Sequence, residues 1–202
     1  MVPGLADAAL TGMAERRTGR LVLTPENPES RPPIREIGAL LKEIGLLGEP
    51  LDGSGAAGYL VGADFLQLIS FMGCSPHIEL TPPANGGSFC HLRLLGPHAE
   101  PQLLQGPDSR APGCGNCGIR VPDWRNSLGS WCQTPLLPVF TCPTCGTTQR
   151  PLDLAWRQGA GWGSFFVCVE DIFPGEAVPV PSLLRTLERA SGVAWRYFFH
   201  RD

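Results

Sequence analysis

Four of the eight cysteines stand in two turns of the same form, Cys114-Gly-Asn-Cys117-Gly118 and Cys142-Pro-Thr-Cys145-Gly146, with residues 118–141 between them. A Cys-x-x-Cys turn aims two thiols at one point, and the glycine after it lets the backbone curl around the sulfurs with positive φ. Two such turns supply four thiolates, the donor set of a closed tetrahedral metal site. A closed site holds a fold together and leaves no coordination position for substrate. A redox reading is disfavoured, because a thioredoxin-like motif opens a helix, whereas both turns here lead into turn and strand residues.

Other chemistry-bearing residues are weaker candidates. Cys74 and His77 have ligand-like spacing, and Cys90, His91 and His98 follow within the same stretch. Strand alternation puts Cys90 and His91 on opposite faces, so a second metal centre is not expected there. Cys74 follows the expected end of a helix, where the dipole disfavours a thiolate, which argues against a nucleophile. Glu170-Asp171 ends a hydrophobic run and reads as a solvated strand end, since adjacent residues in extended chain point opposite ways.

The elements that must carry these residues suggest an α+β domain, its mixed or antiparallel sheet accompanied by a few helices and interrupted by the metal module. Residues 1–32 are weakly patterned, with only Leu21-Val22-Leu23 strand-like, and are expected to form a weakly ordered N-terminal arm. Ile34, Ile37, Leu41 and Ile44 recur at helical spacing after Pro32-Pro33. Ala63 to Met72 reads as a buried helix. His77 to Thr81 and Phe89 to Leu95 read as strands joined across Asn85-Gly86. Gly96 to Gly113 reads as a linker. After the module, Leu152 to Trp156 and Ser164 to Glu170 are strand-like, Ser182 to Ala190 helical, and Val193 to Phe199 an alternating aromatic strand. The division is therefore an arm over 1–32, an α+β domain over 33–109 and 151–202, and a module over 110–150.

Composition narrows the function classes. The chain has 202 residues, 43% of them apolar, and a formal net charge of −3, which argues against a general polyanion binder. Fifteen of the sixteen basic residues are arginine, and they scatter along the chain. The first residues show neither a basic n-region nor an apolar h-region, and beyond the four knuckle cysteines the other four, Cys74, Cys90, Cys132 and Cys168, are dispersed, so a reducing cytoplasm is expected.

The residues Cys114, Cys117, Cys142 and Cys145, each pair followed by glycine, resemble the knuckles of the zinc-ribbon and rubredoxin-like superfamily. That resemblance spans residues 114–145 and implies knuckles on β-hairpin tips with four thiolates holding structural zinc, or iron in true rubredoxins. The Pro-rich interior and the lack of a compact aromatic shell favour zinc over iron. All five tryptophans lie beyond residue 123. Trp124 and Trp131, with Arg120 and Arg125 nearby, are the candidates for contact with a protein partner. The leading expectation is thus a non-catalytic binding or adaptor protein with a structural zinc ribbon. The alternatives are an enzyme with its active site in the α+β domain, and a nucleic-acid accessory protein. Between 110 and 150, four arginines and one aspartate give a formal +3, which the net −2 of a zinc tetrathiolate reduces to about +1, a weak nucleic-acid footprint.

Overall fold

The computed structural model describes residues 19–51, 58–72, 78–84, 86–173 and 175–201. Its main element is a six-stranded antiparallel sheet formed by β1 (Gly19–Pro25), β2 (Leu47–Pro50), β3 (Gly58–Val61), β5 (His91–Leu95), β10 (Phe166–Ile172) and β12 (Trp195–Arg201), in the spatial order β12-β1-β10-β5-β3-β2. The architecture is α+β. Strand β1 is not part of an arm: it is paired on both sides, to β10 through Leu21↔Val169 and to β12 through Leu21↔Phe199. Its run Leu21-Val22-Leu23 has no exposed surface. Both faces of the sheet are covered at that point, so the strand reads as a short continuous apolar run and lacks the alternation that marks a half-buried one.

Alternation sorts the side chains of the central strands between two cores. Leu21, Leu23, Leu92, Val167 and Val169 face the larger core, whereas Val22, Phe166, Cys168 and Phe198 face the other side. Helices α1 (Ile34–Glu43) and α4 (Pro181–Ser191) cover the larger core, burying Ile37 and Leu41 from one and Leu183 and Leu187 from the other. Each such side chain contributes about 1.5–3 kcal/mol on burial. α4 starts with Pro181 in its first turn, one residue ahead of the expected Ser182, and stops at Gly192 with φ 71°, whose N–H bonds the Glu188 carbonyl at 2.8 Å.

Three local expectations fail. The stretch from Ala63 to Met72 forms a four-residue helix α2 (Phe65–Leu68) and then a strand β4 (Ile69–Phe71), which pairs with β11 (Ala177–Pro179). Only Phe65 and Ile69 of this run are buried, whereas Leu66 and Met72 are about 60% exposed. Residues 78–80 make no strand, although the Cys90 N–H bonds the Glu79 carbonyl at 2.7 Å. Leu152 lies in a 3₁₀ turn (Pro151–Asp153), because Pro151 cannot donate to a ladder.

The expected linker carries a strand, β6 (Gln102–Gln105), which pairs with β9 (Ala160–Gly163). This small sheet lies toward the second face of the main sheet, with Leu104 packed on the Val22 and Phe198 cluster. Close approach depends on glycine: a Cβ on Gly161 would stand 2.6 Å from the Phe198 ring. A further helix, α3 (Trp124–Gln133), and a two-stranded hairpin, β7 (Phe140–Thr141) with β8 (Thr148–Gln149), complete the metal module. No helix among the described residues is long and apolar enough to cross a membrane.

Candidate metal centre

The two knuckles are built alike from the backbone upward. In the first, the Cys114 N–H bonds the Ile119 carbonyl at 2.8 Å and the Gly118 N–H returns to the Cys114 carbonyl at 2.8 Å. In the second, Cys142 bonds Thr147 at 2.9 Å and Gly146 returns to Cys142 at 2.9 Å. Gly118 and Gly146 have φ of 73° and 71°, the left-handed conformation that the turn demands. The second knuckle sits at the tip of the β7–β8 hairpin. The first is clamped by bridges from Gly113 to Arg120 and to Ala155.

This brings the Sγ atoms of Cys114, Cys117, Cys142 and Cys145 within 4.8 Å of one another. The cross-knuckle pairs Cys114–Cys145 and Cys117–Cys142 are both 3.7 Å apart. A tetrahedron with metal–sulfur bonds of about 2.3 Å has edges of about 3.8 Å. A disulfide needs sulfurs at about 2.05 Å, so the spacing suits a metal and not a cross-link. Among the described residues these four are the one group of three or more His, Cys, Asp or Glu side chains close enough to hold a metal ion.

Electrostatics point the same way. The Cys145 thiol is held down at about 5, first by the Thr147 hydroxyl and then by the Thr147 backbone N–H. Backbone N–H donation from Cys117 lowers Cys114. Although the Ile119 N–H favours its thiolate, Cys117 is pushed up to about 12 by desolvation and by the neighbouring sulfurs. Crowded sulfurs cannot all carry charge without a cation among them, and a divalent metal supplies that compensation. Gln149, buried beside the site, fixes one ligand: its Nε2 donates to Cys114 Sγ at 2.8 Å while its Oε1 accepts the Gly115 N–H at 2.8 Å. Sequence reading missed Gln149, because nothing but the folded hairpin brings residue 149 next to residue 114.

The remaining candidates fall elsewhere. Trp124 and Trp131 are only 4% and 3% exposed, so their rings are turned inward and offer no open surface. They meet Trp156 edge to face at 5.4 and 6.4 Å, and Trp156 meets Trp162 at 6.4 Å. A small module has little aliphatic core of its own, and these large rings supply one. Phe140, just before the second knuckle, packs on Trp131 at 6.1 Å. A compact aromatic cluster is therefore present, and its expected absence no longer argues for zinc. Arg120 and Arg125 are exposed on the module. Arg125 stacks over Trp124 at 4.5 Å and donates to the Ser109 carbonyl at 2.9 Å.

Glu170 is not a solvated strand end. It is 6% exposed and pairs with Arg20 at 3.1 Å and Arg93 at 3.8 Å across the sheet, while Asp171 takes a φ of 56°. Cys90 lies in the larger core. His91 stands opposite Glu170 in register, and its Nδ1 lies 2.9 Å from the Phe89 carbonyl oxygen. Cys74 and His77 lie outside the described residues. Comparison with protein-family models, with curated proteins and with solved structures returns no match.

Proposed function

We propose that this is a zinc protein whose closed Cys114, Cys117, Cys142 and Cys145 site is structural, and whose metal module docks onto a protein partner. Zinc is favoured over iron because Cys117 and Cys145 are exposed, and a redox-silent ion tolerates solvent at its thiolates. The observation that carries the docking reading is the distribution of exposed apolar side chains. Of the six large hydrophobics exposed among the described residues, Ile119, Leu136, Leu137 and Val139 belong to the metal module. Three of these follow α3, Leu136 and Leu137 between Pro135 and Pro138 and Val139 just after, on a loop that the tryptophan core does not bury. Exposed apolar groups concentrated on one module fit contact with an apolar protein surface. The chain's net charge of −3 gives no comparable support to nucleic acid.

The test is site-specific photo-crosslinking in cells with a reactive residue at 139, and with one at 66, another exposed apolar position, as control. A discrete adduct from position 139 that disappears on Leu137→Asp, with none from position 66, supports the reading. Equal adducts from both positions, or none from 139, would falsify it.

A further inference from the structure

Beside the edge strand β12 lies a recess of about 570 Å³, between the end of that strand and the loops that lead into and out of the metal module. That volume is in the range of small-molecule sites. Three guanidinium-bearing residues line it: Arg110 from the loop before the first knuckle, Arg157 from the turn after Trp156, and Arg201 from the end of β12. Among the described residues none of these three forms an ion pair; the paired arginines are Arg20, Arg93 and Arg150. Asp108 also lines the recess, so three arginines and one aspartate leave a formal +2 there. The whole chain carries −3, so this positive charge is local.

The walls are braced. Ser109 donates to the Gly159 carbonyl at 2.7 Å and accepts the Gly106 N–H at 2.9 Å, tying the loop of Arg110 to the turn of Arg157. Gly106 lies so close to β12 that a Cβ there would collide with the Arg201 carbonyl. Arg125 braces the same loop by donating to the Pro107 and Ser109 carbonyls. Arg157 itself has φ of 52°, a left-handed conformation that a non-glycine residue adopts at a cost. Glycine would fill that turn without strain, and the occupant is instead an arginine that lines the recess.

The geometry points to a binding site for an organic polyphosphate of nucleotide size. Guanidinium forks suit phosphate oxygens bidentately, and three of them suit a ligand with more than one phosphoryl group. Ala111 and Phe199, both half-buried, supply apolar surface on which an organic ring can rest. An extended nucleic acid is disfavoured, since it would need positive charge beyond the recess. This site uses residues distinct from the exposed loop proposed for docking, and it stands or falls independently.

Isothermal titration of the metal-loaded full chain at low salt tests it, with adenosine triphosphate, inorganic triphosphate and a single-stranded RNA dodecamer as probes. Expected is 1:1 binding of adenosine triphosphate, tighter than inorganic triphosphate. Arg110→Ala and Arg157→Ala should each weaken it by about tenfold or more, while Arg185→Ala on the outer face of α4 leaves it unchanged. Arg157→Gly separates binding from folding: relief of the positive φ should keep or raise the thermal midpoint while affinity falls as for Arg157→Ala. No heat up to millimolar ligand, or equal affinity in the arginine variants, overturns the site. Inorganic triphosphate binding as tightly as the nucleotide overturns the apolar subsite. Preferential RNA binding lost in the same variants overturns the ligand class.

Discussion

The main sheet and the metal module reach stability by opposite routes. The sheet's strands β1, β10 and β12 pair over runs of five to seven residues, and its larger core is almost wholly aliphatic and phenyl side chains. The module's own ladder is two residues per strand, and its core is Trp124, Trp131, Trp156 and Trp162 around Val121, Leu152 and Leu154. A segment with so few ladder bonds cannot bury enough surface to fold unaided, so aromatic rings and four sulfurs do what strand pairing does elsewhere. The contrast also redraws the boundary. The tryptophan core takes Leu103 from β6 and Trp162 from β9, so the module's packing runs past 110–150 into the second layer of the main domain.

Breaking the metal centre should separate the two regions most sharply. Cys142→Ser leaves three thiols and a buried hydroxyl in place of a closed donor set, so metal content should fall from about one equivalent to near zero. Elemental analysis checks this. The knuckles and the tryptophan cluster should loosen together, shifting tryptophan emission to the red, while strand amides around Leu21 and Val167 keep their protection from hydrogen exchange. Loss of that protection would mean that the sheet depends on the module.

The two cores also differ in what a single truncation should do. Trp156 stands at the centre of the module cluster, and its Nε1 donates to the Pro151 carbonyl at 3.0 Å. Trp156→Ala should cost about 3–5 kcal/mol, as for other large aromatic truncations in packed cores. The effect should appear as a lower unfolding midpoint in denaturant, with early loss of the tryptophan signal. Metal should remain bound at neutral pH, because no ligand is touched. An all-or-none transition with unchanged cooperativity would show that the two cores unfold as one unit.

What could be read from the sequence divides along the same line. The knuckle cysteines were legible because their chemistry is written in spacing alone. So were α1 and α4, whose apolar residues follow a helical period, and the strands around Val167 and Trp195, where β-branched and aromatic residues crowd. β1 was undervalued, because a strand covered on both faces lacks the alternation used to find it. α3 was missed: Trp124, Leu128 and Trp131 do recur at helical spacing, but Gly129 and the polar residues between them dilute the pattern. The inward turn of the tryptophans and the pairing of Glu170 with two arginines from other strands arise only from long-range contacts. No local pattern announces them.

A milder test uses pH and acts on the sheet, not on the module. Burial, reinforced by Asp171 and then Glu170, pushes the Cys90 thiol from 9.0 up to about 12. Burial first, with Glu170 next, does the same for Cys168. Both are acids whose folded pKa is raised, so the unfolded chain releases their protons first as pH climbs. Their contribution is intact below about 9 and is lost between about 9 and 12, at about 1.4 kcal/mol per pH unit for each thiol. Unfolding in denaturant at pH 8 and pH 10 should show the loss, and a Cys90→Ala, Cys168→Ala double variant should show a shallower one. Equal alkaline slopes in the two proteins would assign the effect to other groups.

The smallest expected effect lies at the metal site itself. Gln149 touches Cys114 without being a ligand, donating at 2.8 Å to its sulfur and accepting the Gly115 N–H. Gln149→Leu keeps the approximate volume and removes both bonds; Gln149→Glu keeps the acceptor and replaces the donor with a negative charge beside a thiolate. Partners of this kind typically change metal affinity by 10- to 100-fold. Chelator competition should therefore rank wild type above Gln149→Leu, by about tenfold, with Gln149→Glu weakest. The added charge also raises the proton affinity of Cys114, so the gap between the Glu and Leu variants should widen as pH falls from 8 to 6 and protons compete better for the sulfur. If Gln149→Glu binds as tightly as wild type across that range, the amide serves only to pack the β7–β8 hairpin against the first knuckle. The sulfur would then be oriented by its own backbone turn, as Cys142 is in the second knuckle.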